Sequence, residues 1–237
     1  MTGWRARRFW TAVTVEPAPD GHAIRLDSRP LLTPAKRPLI LPTRALAEAI
    51  AAEWATVDGP VDPRRMPFTR SANAAIDKVA PQFAEVAALI AAYGGSDLLC
   101  YRAETPEALA ARQAAAWDPI LDWAAQRHGA RLAVTRGVVP VAQPPESLAR
   151  LAAAVHATTP FGLTALHDLV SLSGSLLLGL AATEPDADPE ALWPLSRIDE
   201  DWQAEIWGCD DAAAADAEAR KQAFLHAHRF WQTLRTA

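Results

Sequence analysis

Apolar positions recur along this chain with two different periods. In the first forty residues they alternate. Phe9 to Val15 alternates with β-branched residues, Asp20-Gly21 is a turn signal, and His22 to Leu26 alternates again, which predicts a β-hairpin. Asp27-Ser28-Arg29-Pro30 predicts a second turn, and Pro38 to Leu41 a short third strand whose proline suits a sheet edge. From Thr43, an expected N-cap, the period becomes helical. Leu46, Ile50 and Trp54, with Ala47 and Ala51 beside them, fall on one face, and Asp58-Gly59-Pro60 ends the helix. Val61 to Arg65 reads as a linker, so the expected division is a small N-terminal α+β domain over residues 1–65 and a larger, mainly α-helical domain over 66–237. The fold class is α+β.

The second part predicts helices at Pro67–Val79, at Pro81–Tyr93 with a Gly94-Gly95 stop, and from Thr105 to Gly129. The last has Thr105 as cap and Pro106 at its first position. Its buried stripe runs through Leu109, Ala116, Trp117, Ile120 and Ala124, and Pro119 should kink or split it at Asp118. Leu132–Val134 and Val138–Val141 fit either strand or extended loop. Further helices are expected at Pro144–His156, Leu163–Ala182, Ala191–Trp207 and Ala212–Leu234, with an acidic loop over Glu184–Glu190. In Leu163–Ala182 the small residues Ser171, Ser175 and Gly179 are four apart, which invites close approach by a neighbouring helix.

Composition narrows the function classes. Half of the 237 residues are hydrophobic, enough for a real core. The formal charge is −5 with no basic stripe, which argues against nucleic acid as a partner. The longest apolar stretch, Leu169–Ala182, is too short to span a membrane. Met1–Trp10 carries Arg5, Arg7 and Arg8 with no apolar stretch behind them, and reads as the mature start of a cytoplasmic, bacterial-type protein. Cys100 and Cys209 form no disulfide framework, which fits a reducing compartment. Nine Trp stand against two Tyr and six Phe; indoles favour cores and interface hot spots.

Catalytic patterns are weak. Tyr93-Gly94-Gly95-Ser96 is a helix stop rather than a phosphate loop. Ser173-Gly174-Ser175 lies within an apolar helix, where its hydroxyls should bond back to the preceding turn. His226 and His228 are two apart on a helix and point in different directions, as do the adjacent His167 and Asp168. The reading is therefore no catalytic residue, no metal, no cofactor and no small-molecule substrate. The densest chemistry is the cluster Asp199, Glu200, Asp201 and Glu205, interleaved with Trp202 and Trp207. It fits a solvated helix face, a docking surface for a protein with exposed Arg or Lys, or paired carboxylates for acid–base work. A generic helical adaptor, or an enzyme using carboxylates such as Asp97 or Glu205, are the alternatives to a dedicated helper protein.

Several blocks together resemble the ATP synthase alpha-subunit assembly chaperone family. They are Arg8-Phe9-Trp10; Asp27-Ser28-Arg29-Pro30-Leu31 with Thr33-Pro34; Glu53-Trp54; Met66-Pro67-Phe68-Thr69-Arg70 running into 72–77; Tyr93 to Arg102; Trp117 to Trp123; Asp199-Glu200-Asp201-Trp202-Gln203; and Trp207-Gly208. Ser28 stands where glycine is expected and Leu32 where a basic residue is usual. The resemblance implies a two-part fold, no nucleotide hydrolysis, and binding of the unassembled alpha subunit over the surface later buried against its partner subunit. It points to Glu53, Trp54, Asp199, Glu200, Trp202 and Glu205 as partner-binding residues, although the face shared with Leu46 and Ile50 puts Trp54 in the core. Eukaryotic relatives carry a presequence and would reside in the mitochondrial matrix; this chain lacks one, as a bacterial cytoplasmic member would.

Overall fold

The computed structural model describes residues 7–208 and 210–235. In chain order its elements are β1 (Val13–Ala18), β2 (Gly21–Leu26), β3 (Arg29–Pro30), β4 (Ile40–Leu41), α1 (Arg44–Ala55), α2 (Pro67–Ala74), α3 (Phe83–Ala92), β5 (Tyr101–Arg102), α4 (Glu107–Arg127), β6 (Thr135–Arg136), α5 (Pro145–His156), α6 (Pro160–Ser173), α7 (Leu176–Ala181), α8 (Pro189–Leu192), α9 (Ile198–Trp207) and α10 (Asp211–Thr233). A small sheet is followed by helices, as the α+β reading expects. By packing, the chain forms two compact units. The first holds the chain up to Phe83, Thr159–Ala165 and the end from Arg229; the second holds Ala84–Thr158 and Leu166–His228.

In the first unit β1 and β2 pair antiparallel with Val13 opposite Leu26 and Ala18 opposite Gly21. The first strand thus lies later than the Phe9–Val15 pattern predicts. Trp10 is buried ahead of it, its backbone carbonyl held by the Arg8 side chain, and Phe9 is exposed. Gly21 is required: a Cβ there would lie 2.2 Å from the Leu41 carbonyl oxygen, where β4 pairs with β2. Ile24 and Leu26 point into the core beside Leu39 and Leu41. Thr43 caps α1, its hydroxyl accepting the Leu46 N–H. The expected linker is packed instead. Val61 lies against the core, and Pro63–Arg65 make a 3-10 turn capped by Asp62 that leads straight into α2. Met66 and Ala72 lie in the same core, and the first packing unit continues past residue 65.

From Pro67 the chain stays helical longer than expected. Between α2 and α3 it passes through a wider π turn (Ala75–Val79) and a 3-10 turn (Ala80–Gln82), which accommodate Pro81 without a break. By length and composition alone the run Pro67–Cys100 could cross a membrane; Ala72 is buried in the first unit, and Ala87, Ile90 and Leu99 in the second.

In the second unit α4 is one helix through Pro119, starting at Glu107, with Pro106 and not Thr105 at its cap position. Residues 130–143 are extended loop except for β6, parallel to β5. The expected helix Leu163–Ala182 is two. Gly174 adopts φ 72° and breaks it, and Ser175 caps α7 through the Leu178 N–H. Gly179 makes the close approach that its small side suggests, but to Val170 of α6, within the same stretch. Ser173 bonds back to Leu169, as expected; Ser175 instead donates to Asp97. Likewise Ala191–Trp207 divides at Trp193–Arg197, a 3-10 turn containing Pro194.

Candidate partner-binding surface

The acidic cluster sits on α9, whose first turn carries Asp199, Glu200 and Asp201, a placement the helix dipole favours. Two consecutive residues of α4 contact this helix. Gln113, buried, donates to Asp199 (2.6 Å) while its carbonyl accepts the Ala103 N–H. Arg112 donates to both carboxylate oxygens of Glu205 at 2.8 Å. Ile198 is the buried residue of α9, and Trp202, one turn on, is half-buried. Glu200 is exposed and pairs with Arg197 at 2.7 Å. The Asp201 carboxyl is pushed above the usual range, first by partial desolvation, with Glu200 and Glu205 adding to the effect and Arg197 and Arg112 opposing it.

Glu53 and Trp54 belong to the first unit. The Glu53 carboxylate caps α2 from outside, accepting the Phe68 N–H (2.7 Å), the Thr69 N–H (2.8 Å) and the Thr69 hydroxyl (2.6 Å). Partial burial raises its pKa, and these hydrogen bonds oppose the rise. Trp54 packs on the first core, its ring centroid 5.2 Å from that of Trp10, and its backbone carbonyl accepts the Trp10 indole N–H. Among the described residues nothing accepts the buried Trp54 indole N–H.

The two units differ sharply in charge. The first holds 14 Lys and Arg against 8 Asp and Glu, formally +6; the second holds 9 against 20, formally −11. Most of the contrast lies in contiguous chain: residues 1–83 hold 12 Lys and Arg against 8 Asp and Glu, and Arg229 and Arg235 add the rest from the far end.

Asp97, one of the two carboxylates considered for an enzyme, is fully buried. It accepts from the Ser175 hydroxyl (2.8 Å) and from the Leu99 and Leu177 N–H groups (both 3.0 Å), closing the start of α7. Burial pushes its pKa up against those bonds, and pushes the neighbouring Cys100 thiol up to about 12. Cys209 lies outside the described residues. His167 and Asp168, expected to face apart, are in contact at 2.9 Å. A cavity of about 170 Å³ in the second unit is lined by Asp118, Leu121, Asp122, Arg131, Leu132 and Val134, and includes neither Asp97 nor Glu205. Among the described residues no group of three His, Cys, Asp or Glu is placed to hold a metal.

A family model described as ATP12 chaperone protein matches residues 7–125. Atp12 from Paracoccus denitrificans is 55% identical over 97% of this chain and 99% of its own, with a TM-score of 0.95. The chain belongs to the ATP12 chaperone family. An aspartate-to-lysine mutant of the Paracoccus protein matches at 54% identity over 97% of this chain and 98% of its own, TM-score 0.95. The Agrobacterium tumefaciens protein Atu1473 matches at 42% over 97% and 86%, TM-score 0.91. The family is one of ATP synthase assembly chaperones.

In this ATP12-family chain the blocks that carried the resemblance largely build the fold. Asp97 closes α7. Buried Arg102 pairs with Asp118, lies 4.8 Å from the Trp117 ring and donates to the Leu99 carbonyl. Trp117 is buried and donates to the Leu195 carbonyl just ahead of α9. Asp27, at φ 52° in its turn, collects the Thr11 and Ala12 N–H groups.

Proposed function

We propose that this chaperone binds the unassembled alpha subunit of an F-type ATP synthase in the bacterial cytoplasm and covers the surface later buried against its partner subunit. The docking face is the acidic side of α9, where Asp199, Glu200, Trp202 and Glu205 stand in a unit of formal charge −11. That charge is the observation that supports the reading most directly. Carboxylates concentrated on one unit steer and orient a partner bearing Arg and Lys, and disfavour acidic partners. Glu53 and Trp54 act indirectly, by keeping the first unit folded. The chaperone role needs no nucleotide turnover and no cofactor.

The test is co-purification of tagged wild-type protein with the alpha subunit in the native host, compared with Glu200→Gln/Glu205→Gln. The double variant should recover less alpha subunit at low salt, and the remainder should be less sensitive to added salt. Equal recovery at low salt would move the docking face away from α9.

A further inference from the structure

Trp202 and Trp207 lie on different faces of α9. Helical positions three and seven apart share a face, so Glu200, Gln203 and Trp207 form one row and Ile198, Trp202 and Glu205 another. The second row is turned inward: Ile198 is buried, Trp202 is half-buried, and Glu205 meets Arg112 of α4. The first row is exposed throughout. Trp207 is 84% exposed and its neighbour Ile206 is 55% exposed. Large apolar side chains left in water beside each other mark interaction sites more often than folding needs.

The opening of α10 is equally uncovered. α10 opens with Asp211–Asp216, exposed at every position, four of them alanine. Most helices in proteins are held by packing one face. α10 packs in this way further along, through Phe224, Leu225, Ala227 and Phe230, while its exposed opening turns are supported by alanine propensity, by the Asp210 carboxylate accepting the Ala213 N–H at 3.0 Å, and by Asp211 in the first turn. A helix formed before any contact is made is already ordered for a partner.

Charge decides what that partner is. Residues 184–218 hold 12 Asp and Glu against the lone basic residue Arg197. A second copy meeting this surface with its own would oppose like charges, an anionic membrane would be repelled, and a second copy offering its formally +6 first unit is the rival that the sedimentation measurement below tests. We infer that Trp207, with Ile206 and the opening turns of α10, is the apolar anchor of this acidic surface, and that it enters an apolar pocket rimmed by Arg and Lys on the partner. The inference rests on the docking reading above and assigns its aromatic anchor to Trp207 instead of Trp202.

The experiment compares wild type, Trp207→Ala, Trp202→Ala and the exposed control Leu89→Ala. Affinity for purified, unassembled alpha subunit is measured calorimetrically, melting temperature on the same samples, and self-association by sedimentation. Trp207→Ala should keep the wild-type melting temperature and bind about tenfold or more weakly. Trp202→Ala should melt earlier, and Leu89→Ala should match wild type in both. If wild type binds and Trp207→Ala binds equally well, or loses affinity only as it loses stability, the anchor is wrong while the partner stands. Wild-type self-association abolished by Trp207→Ala would also overturn it, making this face a contact between copies. If wild type itself does not bind the alpha subunit, the partner reading falls and the anchor falls with it.

Discussion

Glu53-Trp54 near the end of α1 and Glu205-Ile206-Trp207 at the end of α9 both bring a carboxylate and an indole to the last turn of a helix. Their fates differ because the helices beneath them differ. α1 buries Leu46, Ala47 and Ile50, a continuous apolar face that carries Trp54 onto the first core and leaves Glu53 beside the bare N–H groups of α2. α9 buries Ile198 and little else, so its far end runs out into solvent. Residue type alone does not distinguish a packed carboxylate–indole pair from an exposed one; the apolar residues one and two turns back do.

The comparison breaks most visibly at Trp54. Trp54→Arg removes the ring that stacks on Trp10 and sets a charge against the first core, so stability should fall by about 3 kcal/mol or more. Thermal melts check this; an unchanged melting temperature with lost alpha-subunit binding would make Trp54 a contact residue, the role proposed for α9.

A smaller effect is expected at Glu53. Glu53→Gln leaves one good acceptor for three donors at the start of α2, a loss of about 1–2 kcal/mol by the usual value of a helix cap. The pH dependence has a definite sign. Burial raises the folded pKa of Glu53, so its linked contribution is full below the ordinary glutamate range of about 4.3 and is lost as pH rises through the raised value. The stability gap between wild type and Glu53→Gln should therefore narrow from about pH 4 toward neutrality. A gap that widened over this range, in denaturant titrations, would contradict the raised pKa.

The smallest effect belongs to the other side of the comparison. Glu200→Gln/Glu205→Gln removes two exposed ion pairs, to Arg197 and Arg112, and should change stability by no more than about 1 kcal/mol. A larger loss in urea unfolding would mean that the Arg112 contact is a structural tie, and would bring α9 closer in character to α1.

Local patterns alone supported the hairpin, the Thr43 cap, the face of α1, the Gly94-Gly95 stop and the α+β class, because each depends on neighbours within a few residues. The family was also legible, through blocks such as Tyr93 to Arg102 whose side chains prove to hold the fold. Other features needed the folded chain. Gly174 sits inside a pattern that predicts one continuous helix, yet its φ of 72° separates α6 from α7, and Asp97, far away in sequence, accepts from the Ser175 hydroxyl. That the Glu53 carboxylate caps the start of α2 also needed the folded chain. The opposed charges of the two units are hidden in a net of −5, although the first 83 residues, 12 basic against 8 acidic, already show most of the contrast. Propensity and periodicity act between neighbours along the chain, whereas capping across elements and burial depend on which distant segments are brought together.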